Sequence, residues 1–254
     1  MKPTRLHALP PLVAALVLGA LACDRLPGRP DEADRHRVPA EILDFDTLYA
    51  VNCSGCHGAE GQLGPSRPLA DPVYLALVTS AQVAEIITNG RRVTMPAFAQ
   101  SAGGMLTDEQ VEVLARGIFE RWADPAKLAG VALPPYSDRD SRARGHKRGS
   151  SARGARAFAR FCADCHGADG RGSERAGSVV DPSFLALVSD QMLRTSVIAG
   201  RPDLGQPDWR TLSPARAMEP QEISDVVAWL ASRRVAFPGQ PYDEGDTANA
   251  TAAR

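Results

Sequence analysis

The sequence has few of the features that mark the larger classes of protein. Its formal net charge is −1 over 254 residues, so nothing indicates a basic surface, and no nucleic-acid partner is expected. Runs of alternating apolar and polar residues are absent, so strands are not predicted. Aromatic residues make up only 6% of the chain, whereas 20 prolines and 22 glycines indicate many loops. These features suit small helical domains that need a source of core beyond their own side chains.

Long hydrophobic runs are absent except at the N-terminus, where Lys2 and Arg5 precede an apolar stretch over residues 11–22. This stretch is shorter than the roughly 20 residues needed to span a bilayer, but it has the length of a signal-peptide core, so we assign residues 1–22 to a signal peptide. Cys23 follows small residues and resembles the lipidated cysteine of bacterial lipoproteins, although Leu21 is not in the usual place. We expect a lipid anchor at Cys23, with cleavage to a soluble periplasmic protein as the alternative.

The other four cysteines form two copies of one motif, Cys-x-x-Cys-His, at residues 53–57 and 162–166. This is the attachment signature of haem c. Two thiols three positions apart on a helical turn reach both vinyl groups of one porphyrin, and the adjoining histidine supplies its imidazole to the iron. We therefore predict two covalently bound haems c. Their expected protein ligands are Cys53, Cys56 and His57 for haem 1, and Cys162, Cys165 and His166 for haem 2.

Two other uses of paired cysteines compete with this interpretation. The two pairs could together hold one structural zinc ion in a Cys₄ site. A thioredoxin-like redox pair is a second alternative, but it needs a βαβ setting that the sequence does not indicate. The repetition of the whole motif, histidine included, favours haem.

The similarity between the two halves extends beyond the cysteines. Residues 71–78 match residues 181–188, and residues 95–98 face 206–209, with single-residue insertions between the matched blocks. We interpret this as an internal duplication that yields an all-α protein of two tandem domains. The predicted organisation is a tether at 23–41, domain 1 at 42–123, a flexible basic linker at 124–152, domain 2 at 153–236 and a mobile tail at 237–254.

Helices are predicted at matching places in both halves. An amphipathic helix closes each repeat, beginning near Thr107 and near Glu219, and Thr107 with Gln110 has the form of a capping box. Shorter helices are predicted before each cysteine pair, around 45–51 and 155–161, and others after Asp71-Pro72 and Asp181-Pro182.

The first half resembles class I cytochrome c domains. The resemblance rests on the motif at 53–57, on Met95-Pro96 in a late loop and on the closing helix at 107–122. It implies a small all-α haem domain that shuttles single electrons, with Met95 as the sixth ligand of haem 1. An ordinary core methionine is the alternative role for Met95.

The second half resembles the same family but departs from it at the sixth ligand. Gln206 stands where the repeat places Met95, so haem 2 is bound by Gln206 or a water, or is open on one side. Met218 and Met192 are interpreted as core residues. His36 and His146 lie in the tether and the linker and could reach a haem only by folding over it.

Other residues around the expected haems have weaker assignments. We expect the aromatic rings of Phe98 and Trp209 to pack beside the porphyrins. Arg91 and Arg201 are candidates to pair with haem propionates, with solvated surface as the alternative.

The resemblance implies an electron carrier rather than an enzyme, at the periplasmic face of the cytoplasmic membrane. Its expected partners are redox proteins of a respiratory chain, a quinol-oxidising complex and a terminal oxidase or reductase. The alternative is a haem enzyme in which haem 2 binds a small substrate such as peroxide or a sulfur species.

Overall fold

A computed structural model of the chain describes residues 37–91, 94–236 and 238. The predicted signal peptide, Cys23, His36 and all but one residue of the predicted tail lie outside these ranges. Backbone contacts divide the chain after Glu41, and the described residues before that point hold one short 3₁₀ helix, Pro39–Glu41. None of the helices in the described ranges is long and apolar enough to cross a membrane.

The first repeat is built from five α-helices. The sequence predicted three of them: the helix before the cysteine pair, the one after Asp71-Pro72 and the closing helix. A short 3₁₀ helix, Gln100–Ala102, precedes the last of them. The helices are α1 (Phe45–Asn52), α2 (Ser54–His57), α3 (Pro72–Leu77), α4 (Ser80–Asn89) and α5 (Asp108–Trp122).

The second repeat follows the same order after a connecting segment that contains α6 (Asp138–Ala143). A 3₁₀ helix, Pro202–Leu204, lies in its late loop. Its helices are α7 (Ser151–Phe161), α8 (Ala163–His166), α9 (Pro182–Leu187), α10 (Asp190–Ala199) and α11 (Pro220–Ala231). The described residues contain no β-strand, so the all-α fold with two related domains is confirmed. The residue numbers at which we divided the domains remain a prediction.

Local sequence explains where the closing helices begin. Thr107 and Gln110 form the predicted capping box, with Gln110 N 3.2 Å from Thr107 Oγ1 and Thr107 N 3.0 Å from Gln110 Oε1. In the second repeat Glu219 N donates to Glu222 Oε2 at 3.0 Å, and Pro220 occupies the first turn, where a missing N–H costs nothing. Each closing helix therefore starts at a satisfied N-terminus.

The closing helix of each repeat crosses the helix that leads into the cysteine motif, and a glycine lies at each crossing. A Cβ on Gly117 of α5 would stand 2.2 Å from the Phe45 ring of α1. In the second repeat the glycine lies on the other helix of the pair, the one that leads into the motif: a Cβ on Gly154 of α7 would stand 2.0 Å from Asp225 O of α11. The cores include Leu114, Ile118, Ile223 and Val226, all buried. The close crossing fixes the helix that carries each attachment motif.

The predicted flexible linker is corrected, because the segment is folded onto the second repeat. Arg194 of α10 is 2% exposed. It donates to Pro135 O from both Nε at 3.0 Å and Nη2 at 2.9 Å, and Nη1 reaches Ser224 Oγ at 2.9 Å. A buried guanidinium requires acceptors, and the backbone of this segment provides two of the three bonds. Lys147 N also donates to Gln221 Oε1 at 2.7 Å.

Candidate haem-binding sites

The first attachment motif lies on the turn that joins α1 to α2. Cys56 N and His57 N both donate to Cys53 O, at 3.1 and 3.0 Å. This single helical turn places two free thiols three positions apart beside the imidazole. The helical turn on which the spacing argument depends is therefore present, and haem attachment at it remains a prediction.

The orientation of His57 is fixed by a backbone carbonyl. Its Nδ1 lies 2.8 Å from Arg67 O. If Nδ1 carries the proton, as a carbonyl partner requires, Nε2 is the nitrogen left free for a metal. Burial lowers the pKa of His57; the hydrogen bond to the Arg67 carbonyl opposes this shift, and the positive charge of Arg201 adds to it. The imidazole is therefore held in the neutral form that a metal ligand needs.

The second attachment motif repeats this geometry on the turn between α7 and α8. Cys165 N and His166 N donate to Cys162 O at 3.2 and 3.0 Å. His166 Nδ1 lies 2.9 Å from Gly177 O, which again leaves Nε2 free. Both histidines thus have the same kind of backbone partner about ten residues downstream.

The loop after each motif folds back tightly over the attachment turn. A Cβ on Gly64 would stand 2.3 Å from Cys56 O, so only glycine allows this approach. In the second repeat Gly172 N donates to His166 O at 2.8 Å, with φ at +102°. These contacts hold the carbonyl that orients each histidine close to its motif.

The donor groups fit haem better than zinc. Burial raises the pKa of Cys53 and of Cys162 to about 12 each, with the neighbouring Cys56 and Cys165 as second causes. In the absence of a metal such thiols are protonated at neutral pH. Within the part of the chain that the structure describes, no three His, Cys, Asp or Glu side chains are grouped so as to hold a metal ion. Each motif instead offers two thiols and one imidazole, the set that haem c requires.

The expected sixth-ligand loops are also equivalent in backbone structure. Arg91 and Met95 exchange backbone hydrogen bonds, N to O at 2.8 and 2.9 Å, and Arg201 exchanges them with Gln206 at 3.1 and 3.0 Å. The second loop holds one extra residue, which accounts for an insertion inferred from the sequence. A Cβ on Gly90 would stand 2.5 Å from Met95 O. Gln206 therefore occupies the backbone position of Met95.

The side chains of these two residues differ in their surroundings. Met95 is half-buried against the apolar core. The Gln206 amide is also half-buried, and its Nε2 donates to Ser196 O at 3.0 Å. This bond leaves Oε1 as the only amide atom that could approach iron. The assignment of either side chain as a ligand remains a prediction.

The alternative ligands occupy other places. Met218 is 2% exposed, and its N donates to Trp209 O at 2.9 Å, as Leu106 N donates to Phe98 O at 2.8 Å. It is thus the structural counterpart of Leu106. Met192 contacts the first repeat, with Sδ 3.9 Å from Thr94 Oγ1.

His146 lies in the connecting segment, where its N donates to Ser141 O. Trp209 is buried and Phe98 half-buried. Neither observation tests the expected packing of these rings against porphyrin.

Arg201 has a role that the sequence did not predict. Its Nε and Nη2 each lie 2.9 Å from a carboxylate oxygen of Asp203, and Nη2 also donates to Gly64 O at 3.2 Å. Its donors are directed to protein acceptors, one of them in the first repeat. Arg91 is exposed, so a role at a propionate remains a prediction for it.

Arg67 was missed by sequence reasoning. Its carbonyl orients His57, and its Nη2 donates to Ser196 Oγ at 2.9 Å. The Nη1 atom is buried, makes no hydrogen bond with any described residue, and lies 3.9 Å from Asp71 Oδ2. The sequence gives no signal for this residue, since the second repeat has Gly177 in the equivalent role.

Two family models match the chain, one in each repeat. A model described as cytochrome c matches residues 151–234, and one described as cytochrome C oxidase, cbb3-type, subunit III matches residues 40–116. These matches support a c-type cytochrome. They imply covalently bound haem c and a role in electron transfer.

Curated relatives of the chain are oxidase subunits. It is 31% identical over 149 residues to the Cbb3-type cytochrome c oxidase subunit CcoP of Rubrivivax gelatinosus, which covers 55% of this chain and 41% of that protein. It is 33% identical over 131 residues to the subunit FixP of Azorhizobium caulinodans, covering 51% and 40%. The chain thus spans about two fifths of the length of these relatives.

Among solved structures, the reducing HAO-like protein complex of Kuenenia stuttgartiensis aligns with the chain at a TM-score of 0.43 and 16% identity. The alignment covers 79% of this chain and 100% of that one.

Proposed function

We propose that this c-type cytochrome binds two haems c and carries single electrons at the periplasmic face of the cytoplasmic membrane. The observation that carries the proposal is the repetition of one site geometry. In each repeat two thiols and a histidine share a helical turn, and a backbone carbonyl binds Nδ1 of that histidine. When bound at such a site, haem iron accepts and releases one electron.

The residues of each site would contribute to haem binding in different ways. The cysteines fix it covalently, so that an exported protein does not lose it. The hydrogen bond from each histidine to its carbonyl fixes the tautomer and strengthens the imidazole as a ligand. The sixth ligand would be Met95 at the first site and Gln206 at the second. Because axial ligand identity is a main determinant of haem potential, the two haems would differ in potential.

The proposed partners are a quinol-oxidising complex as donor and a terminal oxidase as acceptor. CcoP and FixP are named as subunits of cbb3-type oxidases, and that likeness favours an oxidase over a reductase. The proposed lipid anchor at Cys23 would keep the carrier at the membrane.

A second candidate function is a haem enzyme. The observation in its favour is that Gln206 Nε2 is bound to Ser196 O, which ties the side chain back to α10. Haem 2 would then have a weak sixth ligand or none, and could admit peroxide or a small sulfur species.

The two functions separate in one experiment on the full chain, matured with a c-haem assembly system. The ferric protein is mixed with a one-electron donor in a stopped-flow spectrometer and, separately, assayed for turnover of hydrogen peroxide. A carrier takes up two electrons per chain and turns over no peroxide above the level of free haem. Gln206→Met is the matched variant, because it gives haem 2 the side chain of haem 1. Peroxide turnover that this variant abolishes would favour the enzyme and contradict the carrier.

Location is tested by cell fractionation. Wild type should sediment with membranes, and Cys23→Ser should be released or remain unprocessed. Equal release of both proteins into the periplasmic fraction would show that residues 1–22 are an ordinary signal peptide.

A further inference from the structure

The two repeats contact each other through their haem-site loops, and the contact is asymmetric. The loop after the first attachment motif meets the sixth-ligand loop of the second repeat. Leu63 N donates to Asp203 Oδ2 at 3.1 Å, and Arg201 Nη2 donates to Gly64 O at 3.2 Å. The loop that follows the first attachment motif therefore adjoins the loop that would hold the sixth ligand of haem 2.

A continuous series of residues joins the two haem sites across this contact. His57 Nδ1 pairs with Arg67 O, and Arg67 Nη2 donates to Ser196 Oγ at 2.9 Å. The carbonyl of the same Ser196 accepts from Gln206 Nε2 at 3.0 Å. Ser196 thus touches both the residue that orients His57 and the residue at the sixth position of haem 2.

The charged groups in this contact are largely removed from solvent. The side chains of Arg67 and Arg201 are 17% and 18% exposed, and that of Asp203 is 1% exposed. Arg201 holds the pKa of Asp203 below its usual value through their hydrogen bonds, so the carboxyl group stays ionised. Charges in such surroundings act on their neighbours more strongly than exposed charges do.

Among the described residues, the second haem site has no equivalent arrangement. The carbonyl that binds His166 belongs to Gly177, which has no side chain to carry a contact to the other repeat. Any influence on a proximal histidine through this type of contact is therefore directed at haem 1.

We infer that the sixth-ligand loop of the second repeat, Gly200–Gln206, tunes the reduction potential of haem 1 through the charges of Arg201 and Asp203 and through the Ser196–Arg67 hydrogen bond behind His57. This inference rests on the proposed function, since it requires haem at the first site. Arg201, Asp203 and Ser196 are positioning residues in this account, because they act on haem 1 through His57 and its surroundings.

The sign of the charge effect gives the sharpest test. A positive charge beside a haem favours the reduced form, and a negative charge favours the oxidised form. Arg201→Gln should lower the potential of haem 1, and Asp203→Asn should raise it, each by about a fivefold change in the reduction equilibrium, the lower end of coupling between protein sites. The measurement is a potentiometric titration of the full chain, followed at the Met–iron charge-transfer signal of haem 1. A contact that only stabilised the fold would move both variants in the same direction.

The hydrogen-bond path is tested at Ser196. Ser196→Ala removes the acceptor for Arg67 and keeps the carbonyl that binds Gln206. Without this hydrogen bond Arg67 is less firmly positioned, which weakens the hydrogen bond from His57 Nδ1 to Arg67 O. The potential of haem 1 should therefore rise, and the NMR signal of the His57 ring N–H proton should shift. Ser196→Thr keeps a hydroxyl and should restore both values. Thr195→Val is the matched control on the same helix, since the Thr195 hydroxyl bonds only within α10, and it should leave haem 1 unchanged.

The outcomes distinguish this inference from the proposed function. Two results would overturn the inference alone, given covalent haem in the wild type. One is an unchanged haem 1 potential in all of these variants, and the other is a shift of the same sign in the Arg201 and Asp203 variants. A wild type without haem at Cys53 and Cys56 overturns the proposed function as well. If Arg201→Gln does not fold, the double variant with Asp203→Asn keeps the contact neutral and should return the potential to near the wild-type value.

Discussion

The two repeats share a backbone and differ in the side chains around it. Both attachment turns, both carbonyl–histidine bonds and both sixth-ligand loops have the same hydrogen-bond pattern. The first site has Met95 and lies against the second repeat through Arg67, whereas the second has Gln206 and a glycine behind its histidine. Duplication has thus kept the backbone of the proposed attachment sites, and the side chains at the proposed sixth positions have diverged.

The largest expected effect is disturbed attachment of one haem. Cys53→Ala and Cys162→Ala should each disturb covalent attachment at one site only, because each attachment turn is built from its own helices. Denaturing gel electrophoresis with haem staining of tryptic fragments would assign the remaining haem to its repeat. Loss of both haems in either variant would show that the sites are not independent units.

The difference at the sixth position predicts two separate waves in a redox titration. Met raises haem potential within an overall range of about 0.8 V, so haem 1 should be the higher centre. Met95→Ala should lower only the upper wave. Gln206→Met should raise the lower wave and add a second Met–iron charge-transfer signal. Met ligation at both haems of the native protein would contradict this account, and would mean that Met218 or Met192 reaches the iron.

The connecting segment predicts a difference in stability between the repeats. Alanine is chosen to replace Arg194 because Ala84 stands at the equivalent position of α4. The variant Arg194→Ala leaves Pro135 O and the Ser224 hydroxyl without their buried hydrogen-bond donor. We expect it to lower the free energy of unfolding by about 3 kcal/mol, measured by urea denaturation.

Arg148→Ala is the matched control for this change. Arg148 is an exposed residue of the same segment, and its loss should cost less than about 0.5 kcal/mol. Equal effects of the two variants would mean that the segment is not held through Arg194.

The smallest expected effect is a pH dependence at the contact between repeats. The pKa of Asp203 is lowered from 3.8, chiefly by its hydrogen bonds with Arg201. Its stabilising effect is therefore complete above the unfolded-state pKa of about 4 and is lost as the pH falls through the lower folded value. Between pH 5 and 3, wild type should lose up to about 1 kcal/mol more stability than Asp203→Asn. Parallel stability curves for the two proteins would remove the ion pair from the account.

The main helices and the two attachment motifs could be predicted from the sequence, because both depend on residue patterns that are local in the chain. The capping box at Thr107 and the offset that aligns Gln206 with Met95 both recur in the fold. The folded connecting segment and the contact between repeats could not be predicted, because several of their hydrogen bonds involve backbone groups, such as the acceptors Pro135 O and Gly64 O and the donor Leu63 N. Nearly every residue carries such backbone groups, so no residue type signals them.

The central claim is that each repeat holds one covalently attached haem. The most direct measurement is the intact mass of the full chain, matured with a c-haem assembly system and then denatured. The account predicts the mass of the polypeptide plus two haems, with attachment of one haem disturbed in Cys53→Ala and of the other in Cys162→Ala. A mature chain that carries zinc, or no haem after denaturation, would contradict it.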